Sequence, residues 1–498
     1  MLPRFFWFAV LCAVSVAGLA VAAADMANDV AKEATDDPAP PGGPGGRELF
    51  LIFSNNNEGY IDVCGCKHRK IRQGSITRRA SYLKQVRFKH NDVLLISGGN
   101  TFFGRDDRKA KPHEKKQLLE KAKLLLEAYN RFEYRALAMG HSDLGLGLDF
   151  LKQLEKQAKF PFLCANFVYQ ESGKNVFPPT AEIEVNGVKV GIMAVTLDTL
   201  QPYYLDMKAP GTRATDATQA VQKHLPRLRD RNDIVVLFSE NDEGFNQKLM
   251  EENPGIDFLI DPSISLGNAK LRFKPEELRD RWGETYVLRT DSQGARLGTI
   301  DLTVFPGGER PFVDRDATET VPEGRSSFQY LRLSLEPHFL EDPEIAKMVE
   351  LFKKSTKFVA TEELPPLPHK DQYQTESTCQ ACHQEQHNWW QKSPHAKAFA
   401  ALEKTGDQWR QDCIGCHTLG YGQAFLKPED AEPYKNVQCE SCHGLNPMHP
   451  TDPVAHRWPR IREMACLTCH NEDQTGIKFH FAAKRRQMSC PKMPRQKK

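Results

Sequence analysis

The chain has 498 residues, with 67 Lys and Arg against 65 Asp and Glu, for a formal net charge of +2. A balance this even neither demands nor excludes an acidic partner, and nothing in it reads as a nucleic-acid site. The length allows two to four domains with sizeable cores.

At the N-terminus, Arg4 precedes an apolar run from Phe5 to Ala24 that ends in small residues. Residues 1–24 read as a secretory signal cleaved near Asp25. The run is long enough to leave an uncleaved membrane anchor open. Residues 25–47 include Pro38-Ala-Pro-Pro-Gly-Gly-Pro-Gly-Gly46, the composition of a flexible linker.

From Glu48 to about residue 306, short apolar runs alternate with amphipathic helices. Strands are expected at 49–53, 93–96, 136–139, around 162–165, 234–238, 258–260, 286–288 and 297–304. Helices are expected at 76–86, through 118–129 and at 149–157, from apolar residues at helical spacing. Residues 181–195 read as a hairpin turning at Asn186-Gly187. Polar loops follow the strands: Ser54–Gly59, Gly98-Gly99-Asn100 and Gly140–Asp143. This is the pattern of an α/β domain whose working face lies on those loops.

Residues 307–370 read as a connector. One amphipathic helix presents Ile345, Met348, Val349 and Phe352, and Leu364-Pro-Pro-Leu-Pro-His369 forms a stiff spacer. A C-terminal domain is expected over residues 371–485. A basic tail, 486–498, is expected either to dock an acidic redox partner or to be a solubilising end.

The densest chemistry lies between Cys379 and His470. Four times the chain reads Cys-x-x-Cys-His: Cys379/Cys382/His383, Cys413/Cys416/His417, Cys439/Cys442/His443 and Cys466/Cys469/His470. Two thiols at this spacing can form thioethers to one haem, and the next His then lies under the iron. Cys-rich zinc clusters would not need a His after every second Cys. Four covalently bound haem c groups are therefore expected, in a mostly helical, loop-rich domain. Attachment of this kind implies export. For sixth iron ligands the region offers His369, His387, His395, His449, His456 and His480, with Met448 and Met464 as weaker donors. His395, Phe399 and Leu402 share one helical face, so an unpartnered imidazole there would be costly.

Two other cysteines stand close together. Cys64-Gly65-Cys66 follows the first loop and precedes Lys67-His-Arg-Lys70. The pair reads as a redox-active thiol pair or labile disulfide, or as ligands. An inert disulfide, to Cys164 or Cys490, is the competing reading. Cys164 lies in an apolar strand and reads as a packed thiol.

Two resemblances add to this. Phe160–Asn166, Glu182–Thr196, Gly255–Ile260 and Gly294–Val304 resemble the secreted 5′-nucleotidase / UDP-sugar hydrolase family, over about residues 48–305. The resemblance implies the calcineurin-like metallophosphoesterase fold, a layered α/β/β/α sandwich. It also locates that family's metal-ligand positions. Asn56 and Glu58 stand where the first motif has Asp and His, and Asn100 stands at the bridging Asp. His141 and Ser142 replace Asn and His, Glu240 replaces a His, and Ser263 and Ser265 replace two more. A two-metal hydrolase is not expected from such a set. One ion held by Asn100, His141, Asp143 and Glu240 stays open, beside a polar cleft without metal. Some phosphoesterase-like chains in exported multihaem proteins are similar at the Cys64–Cys66 segment.

The C-terminal pattern resembles a second family. Trp390, Ser393-x-His395-Ala396, Val437-x-Cys439-Glu-x-Cys442-His443-Gly444 and a downstream His449 resemble the tetrahaem cytochrome c that accepts electrons from hydroxylamine oxidoreductase. That resemblance implies stacked haem pairs, mostly bis-His, sometimes with one five-coordinate iron. It makes His395 and His449 distal ligands. The family's last distal His has no clear counterpart, so either His480 substitutes or one iron lacks a sixth ligand. The expected function is electron transfer with periplasmic or membrane redox proteins. A metal-dependent hydrolase carrying a cytochrome, and a reductase acting on a small molecule at an open haem, are the alternatives.

Overall fold

The structure is a computed structural model. It describes residues 45–63, 73–104, 112–197, 200, 202–261, 279–290, 293–355, 366–458, 460–470, 479–488 and 490–491. Residues 1–44, Cys64, Cys66, Ser263, Ser265 and most of the basic tail lie outside the described residues. The elements below belong to one compact unit, residues 46–498.

The strands in chain order are β1 (Arg47–Ser54), β2 (Val93–Ser97), β3 (Ala136–Ala138), β4 (Phe162–Leu163), β5 (Phe167–Tyr169), β6 (Thr180–Val185), β7 (Val188–Val195) and β8 (Thr212–Ala214). They continue as β9 (Ile234–Ser239), β10 (Phe258–Asp261), β11 (Arg279–Trp282), β12 (Thr285–Arg289), β13 (Arg296–Val304), β14 (Val313–Asp314) and β15 (Ser327–Ser334). The helices of the same half are α1 (Ile76–Lys89), α2 (Pro112–Arg131), α3 (Leu148–Gln157), α4 (Pro202–Lys208), α5 (Ala217–Arg231), α6 (Glu243–Glu252) and α7 (Pro343–Ser355).

Two sheets stack face to face. One has the order β14-β15-β13-β1-β2-β3-β4, the other β11-β12-β10-β9-β7-β6. The runs β1 to β4 and β7-β9-β10-β12 are parallel. Strand alternation assigns the faces. Leu49, Leu51 and Phe53 of β1 meet Val190, Ile192, Val236 and Phe258 between the sheets. Ile52, of opposite parity, packs outward with residues of α1, α2 and α3. Val221, Leu225 and Leu249 of α5 and α6 cover the far face of the second sheet. The result is the expected α/β/β/α sandwich. Both faces of the central strands are covered, which is why they read as unbroken apolar runs.

The connector expected at 307–370 is in part integral to this domain. β15 pairs with β13 from Arg296↔Ser334 to Thr303↔Ser327. Ile345, Val349 and Phe352 of α7 enter the core beside α1 and α2. Asp342 starts α7 by accepting from Ile345 N at 3.1 Å, and it holds Lys84 of α1 at 2.6 Å. The adjacent Tyr330-Leu331 breaks the apolar alternation of β15, so its strand character comes from pairing rather than from pattern.

The C-terminal region is built of short helices: α8 (Glu376–Gln380), α9 (Gln384–Gln391), α10 (Ala398–Glu403), α11 (Gln411–His417), α12 (Cys439–His443), α13 (Glu463–Leu467) and α14 (Phe481–Gln487). Its buried apolar cluster is small: Ile414, Phe425 and Ala431, with Trp409, Tyr421 and Tyr434 against it.

Candidate functional site

The first site forms where the parallel strands end. β1 runs into Asn55–Asn57, β2 into Gly98–Asn100, β3 into Gly140–Asp143, β7 into Thr196 and β9 into Glu240. Open parallel sheets place ligand sites at these carboxyl ends. The loops meet closely, and any side chain at Gly140 would collide with Asn100. Asn56, Glu58 and Asn100 all take positive φ, 42°, 53° and 58°. Three non-glycine residues in the left-handed region on adjoining loops is local strain of the kind that gathers at functional sites.

Asn100 is the centre of the cluster. Its Oδ1 accepts from Ser142 N at 2.8 Å, which fixes the amide's orientation. Its Nδ2 then donates to Asn56 Oδ1 at 3.1 Å and to Glu240 Oε1 at 2.6 Å. Glu240 accepts three more bonds: from His141 Nδ1 (3.1 Å), His141 N (2.8 Å) and Thr196 Oγ1 (2.7 Å). A carboxylate has about four lone-pair sites, so Glu240 is saturated. Burial works against its charge, but His141 beside it and these bonds hold the carboxyl below the usual range.

This donor set does not fit a metal pair. An amide N–H₂ bridges the two oxygens that a cation would have to bridge, and Glu240 has no lone pair to spare. Among the described residues, no group of three or more His, Cys, Asp or Glu is arranged to hold a metal ion. Asp143 is also engaged: its carboxylate accepts from Phe102 N at 2.8 Å and Gly140 N at 3.0 Å, tying the β2 and β3 loops together. Glu58 is half-buried, and its N–H donates to Asn100 O at 2.8 Å.

Burial pushes the fully enclosed Asp143 carboxyl up to about 7, against its backbone donors and with help from Glu240. An unfolded Asp titrates near about 3.9, so between these values the folded state binds more protons than the unfolded one. Stability from this group therefore falls as pH rises through that window. Asp143→Asn is expected to flatten the decline in urea-unfolding free energy between about pH 4 and about pH 7. An unchanged slope would remove Asp143 as its source.

The second site is the C-terminal histidine array. His383 and His449 have ring centroids 6.0 Å apart, and so do His395 and His470. Two imidazoles that each bond one metal at about 2 Å from opposite sides have centroids about 6 Å apart. Both spacings therefore fit an iron between the rings. His449 Nδ1 donates to His456 O at 2.8 Å and His417 Nδ1 to Ala398 O at 2.6 Å. Such bonds fix the tautomer and leave Nε2 free to ligate. Burial lowers the pKa of His383, His395 and His443, which keeps them neutral as ligation requires.

The thiols also pair. Cys379 contacts Cys439, and Cys416 contacts Cys469. The first motif thus lies beside the third, and the second beside the fourth. Gln374 N donates to Glu440 Oε2 at 2.8 Å and Glu376 N to Gln438 Oε1 at 2.7 Å, fastening the first pair. Cys382, Cys413, Cys442 and Cys466 complete the four motifs.

Residues 378–444 match the family model described as cytochrome c554 and c-prime. That segment holds the first three Cys-x-x-Cys-His motifs and His395. The N-terminal half matches another group of proteins. Protein UshA of Yersinia enterocolitica is 27% identical over 160 residues, covering 31% of this chain and 26% of that protein. A snake venom 5′-nucleotidase of Naja atra is 26% identical over 290 residues, covering 53% and 52%. The chain thus spans between about a quarter and about half of the length of these relatives. The calcineurin-like phosphoesterase YfkN from Bacillus subtilis aligns in structure with a TM-score of 0.49 at 16% identity, over 62% of this chain and 98% of that one.

In the cytochrome c554-like region, the structure brings His395 and His449 against motif histidines. Among the described residues, it does not do so for His387 or His480. His387 is buried with its Nε2 on the Glu376 carboxylate, and no motif ring lies against it among the described residues. His480 stands at the N-terminus of α14. In the cleft, hydrogen bonds join Asn56, Asn100, His141 and Glu240, while Asp143 holds the loop backbone at Phe102 and Gly140. Thr196 was not anticipated, although its place just after an apolar strand was a usable signal. Cys164 is a buried free thiol, pushed up to about 12 chiefly by burial, as a packed thiol should be. Cys64 and Cys66 lie outside the described residues.

Proposed function

We propose that the protein is an exported c-type cytochrome that transfers electrons through four covalently bound haem c groups. The observation that carries this reading is the 6.0 Å spacing of two histidine pairs, each made of one Cys-x-x-Cys-His histidine and one distant histidine. The contacts between motifs one and three and between two and four support close haem pairs, short enough to pass electrons along a chain. Bis-His ligation favours low potentials. Export is supported by the signal-like residues 1–24 and by haem attachment itself. Among the described residues, no helix is long and apolar enough to cross a membrane.

The N-terminal domain is of the 5′-nucleotidase type in sequence. In our reading it no longer performs two-metal hydrolysis, because Asn100 and Glu240 satisfy each other. It presents Cys64 and Cys66, or a small ligand in the cleft, to the haem region. Periplasmic or membrane redox proteins are the partners this role requires.

A spectroscopic redox titration of the purified holoprotein, with and without thiol alkylation, tests the reading. Several low-potential haem transitions are expected, with one shifted by alkylation; no haem transition would end it. Phosphatase assays with manganese, zinc or calcium are expected to show no turnover, and turnover abolished by Asn100→Ala would restore the hydrolase.

One observation favours a second role. Among the described residues, no further histidine ring lies against His417 or His443, the histidines of the second and third motifs; the ring beside His443 is Trp458. An open iron at either motif would bind a small molecule, and carbon monoxide binding by the reduced wild type tests it.

A further inference from the structure

The two halves of the chain meet through four charges. Lys353 on α7 pairs with Asp62 at 2.8 Å and with Asp407 at 3.3 Å, and Asp407 also holds Arg410 at 3.3 Å. The four side chains are between 14% and 28% exposed. Charges this well enclosed are screened by salt much less than surface pairs. Beside them, Gln117 Nε2 of α2 donates to Trp409 O at 3.1 Å.

Both ends of this set sit at working places. Asp62 lies on the segment that leaves β1 and carries Asn56 into the cleft. Arg410 is the N-cap of α11, the helix that bears Cys413, Cys416 and His417. Its carbonyl accepts from Cys413 N at 3.0 Å and Ile414 N at 2.8 Å. One lysine therefore touches the cleft loop and the foundation of the second motif. The first, third and fourth motifs have no comparable ion pair to the N-terminal half among the described residues.

We propose that Lys353 is the tie that seats the second Cys-x-x-Cys-His site against the cleft loop, which makes its haem the one at the domain junction. The haem's identity rests on the function proposed above; the docking does not. Burial opposes both charges, yet their partners prevail: Asp62 is held below the usual carboxylate range and Lys353 above the usual ammonium range. A depressed acid loses its contribution only as pH falls through its folded value, and a raised base only as pH rises through its own. Docking is accordingly flat from about pH 5 to about pH 10.

Hydrogen–deuterium exchange on the full-length holoprotein tests the tie. Lys353→Glu is expected to speed exchange about tenfold in residues 60–63 and 405–412 together, and Lys353→Met to do so less strongly. It should also shift the potential of one haem. Lys354→Glu, which alters an exposed pair with Glu350, should do neither. Unchanged protection at 405–412 in both Lys353 variants would overturn the proposal, as would loosening confined to 60–63. A protein without haem would still give the exchange result, so failure of the electron-transfer reading and failure of the docking are read separately.

Discussion

Replacing His395 or His449 with alanine is expected to leave all haem attachment intact and to open one iron in each variant. Each removes one ring of a 6.0 Å pair, His395 facing His470 and His449 facing His383. The thioethers depend on the motif cysteines and not on the distal imidazole, so haem content should not fall. Loss of an axial His should convert about one low-spin haem per chain to a high-spin form, and the reduced protein should bind about one more equivalent of carbon monoxide than the wild type. The potential of that haem should rise. His480→Ala and His387→Ala should leave ligation unchanged, because among the described residues neither ring faces a motif histidine. His387→Ala instead removes the buried partner of Glu376 and should lower stability. Magnetic circular dichroism or electron paramagnetic resonance counts the spin states. If His395→Ala and His449→Ala stayed fully low-spin while His480→Ala did not, the pairing would be reassigned.

Asn100→Asp should have the second largest effect. The substitution keeps an oxygen for Ser142 N and replaces the Nδ2 donor with a second oxygen, 2.6 Å from Glu240 Oε1. Two carboxylates at that distance inside the protein cannot both ionise without cost, so about 2–4 kcal/mol of stability should be lost at neutral pH. The same change removes the amide that bridges Asn56 and Glu240. A divalent cation can then take its place, with His141 alongside. Manganese or zinc at about a hundredfold excess over its Kd would return about 2.7 kcal/mol. The wild type should gain nothing from the same ions. Thermal melts with and without metal decide this, and equal stabilisation of wild type and variant would show that the native cleft already takes an ion.

Much of the fold was legible because its strands are buried on both faces. Ile234–Phe238 and Phe258–Ile260 are short runs of Ile, Val, Leu and Phe that only a covered sheet explains. β15 was not legible, since Ser327–Ser334 alternates poorly and becomes a strand only by pairing with β13. The residue types of the cleft could be listed from the sequence. The direction of the Asn100 amide could not, because it is set by Ser142 N, a backbone group with no signature in composition. In the C-terminal region the spacing of Cys and His pointed to the chemistry directly. Which distant histidine meets which motif depends on chain crossings over tens of residues. Spacing therefore left His387 and His480 as candidates beside His395 and His449.

The most direct test is the mass of the purified, exported, full-length protein, read together with its visible spectrum. The account predicts a chain heavier than its processed polypeptide by four haem groups, with the sharp reduced bands of c-type haem. A colourless protein with the mass of the bare polypeptide would contradict it.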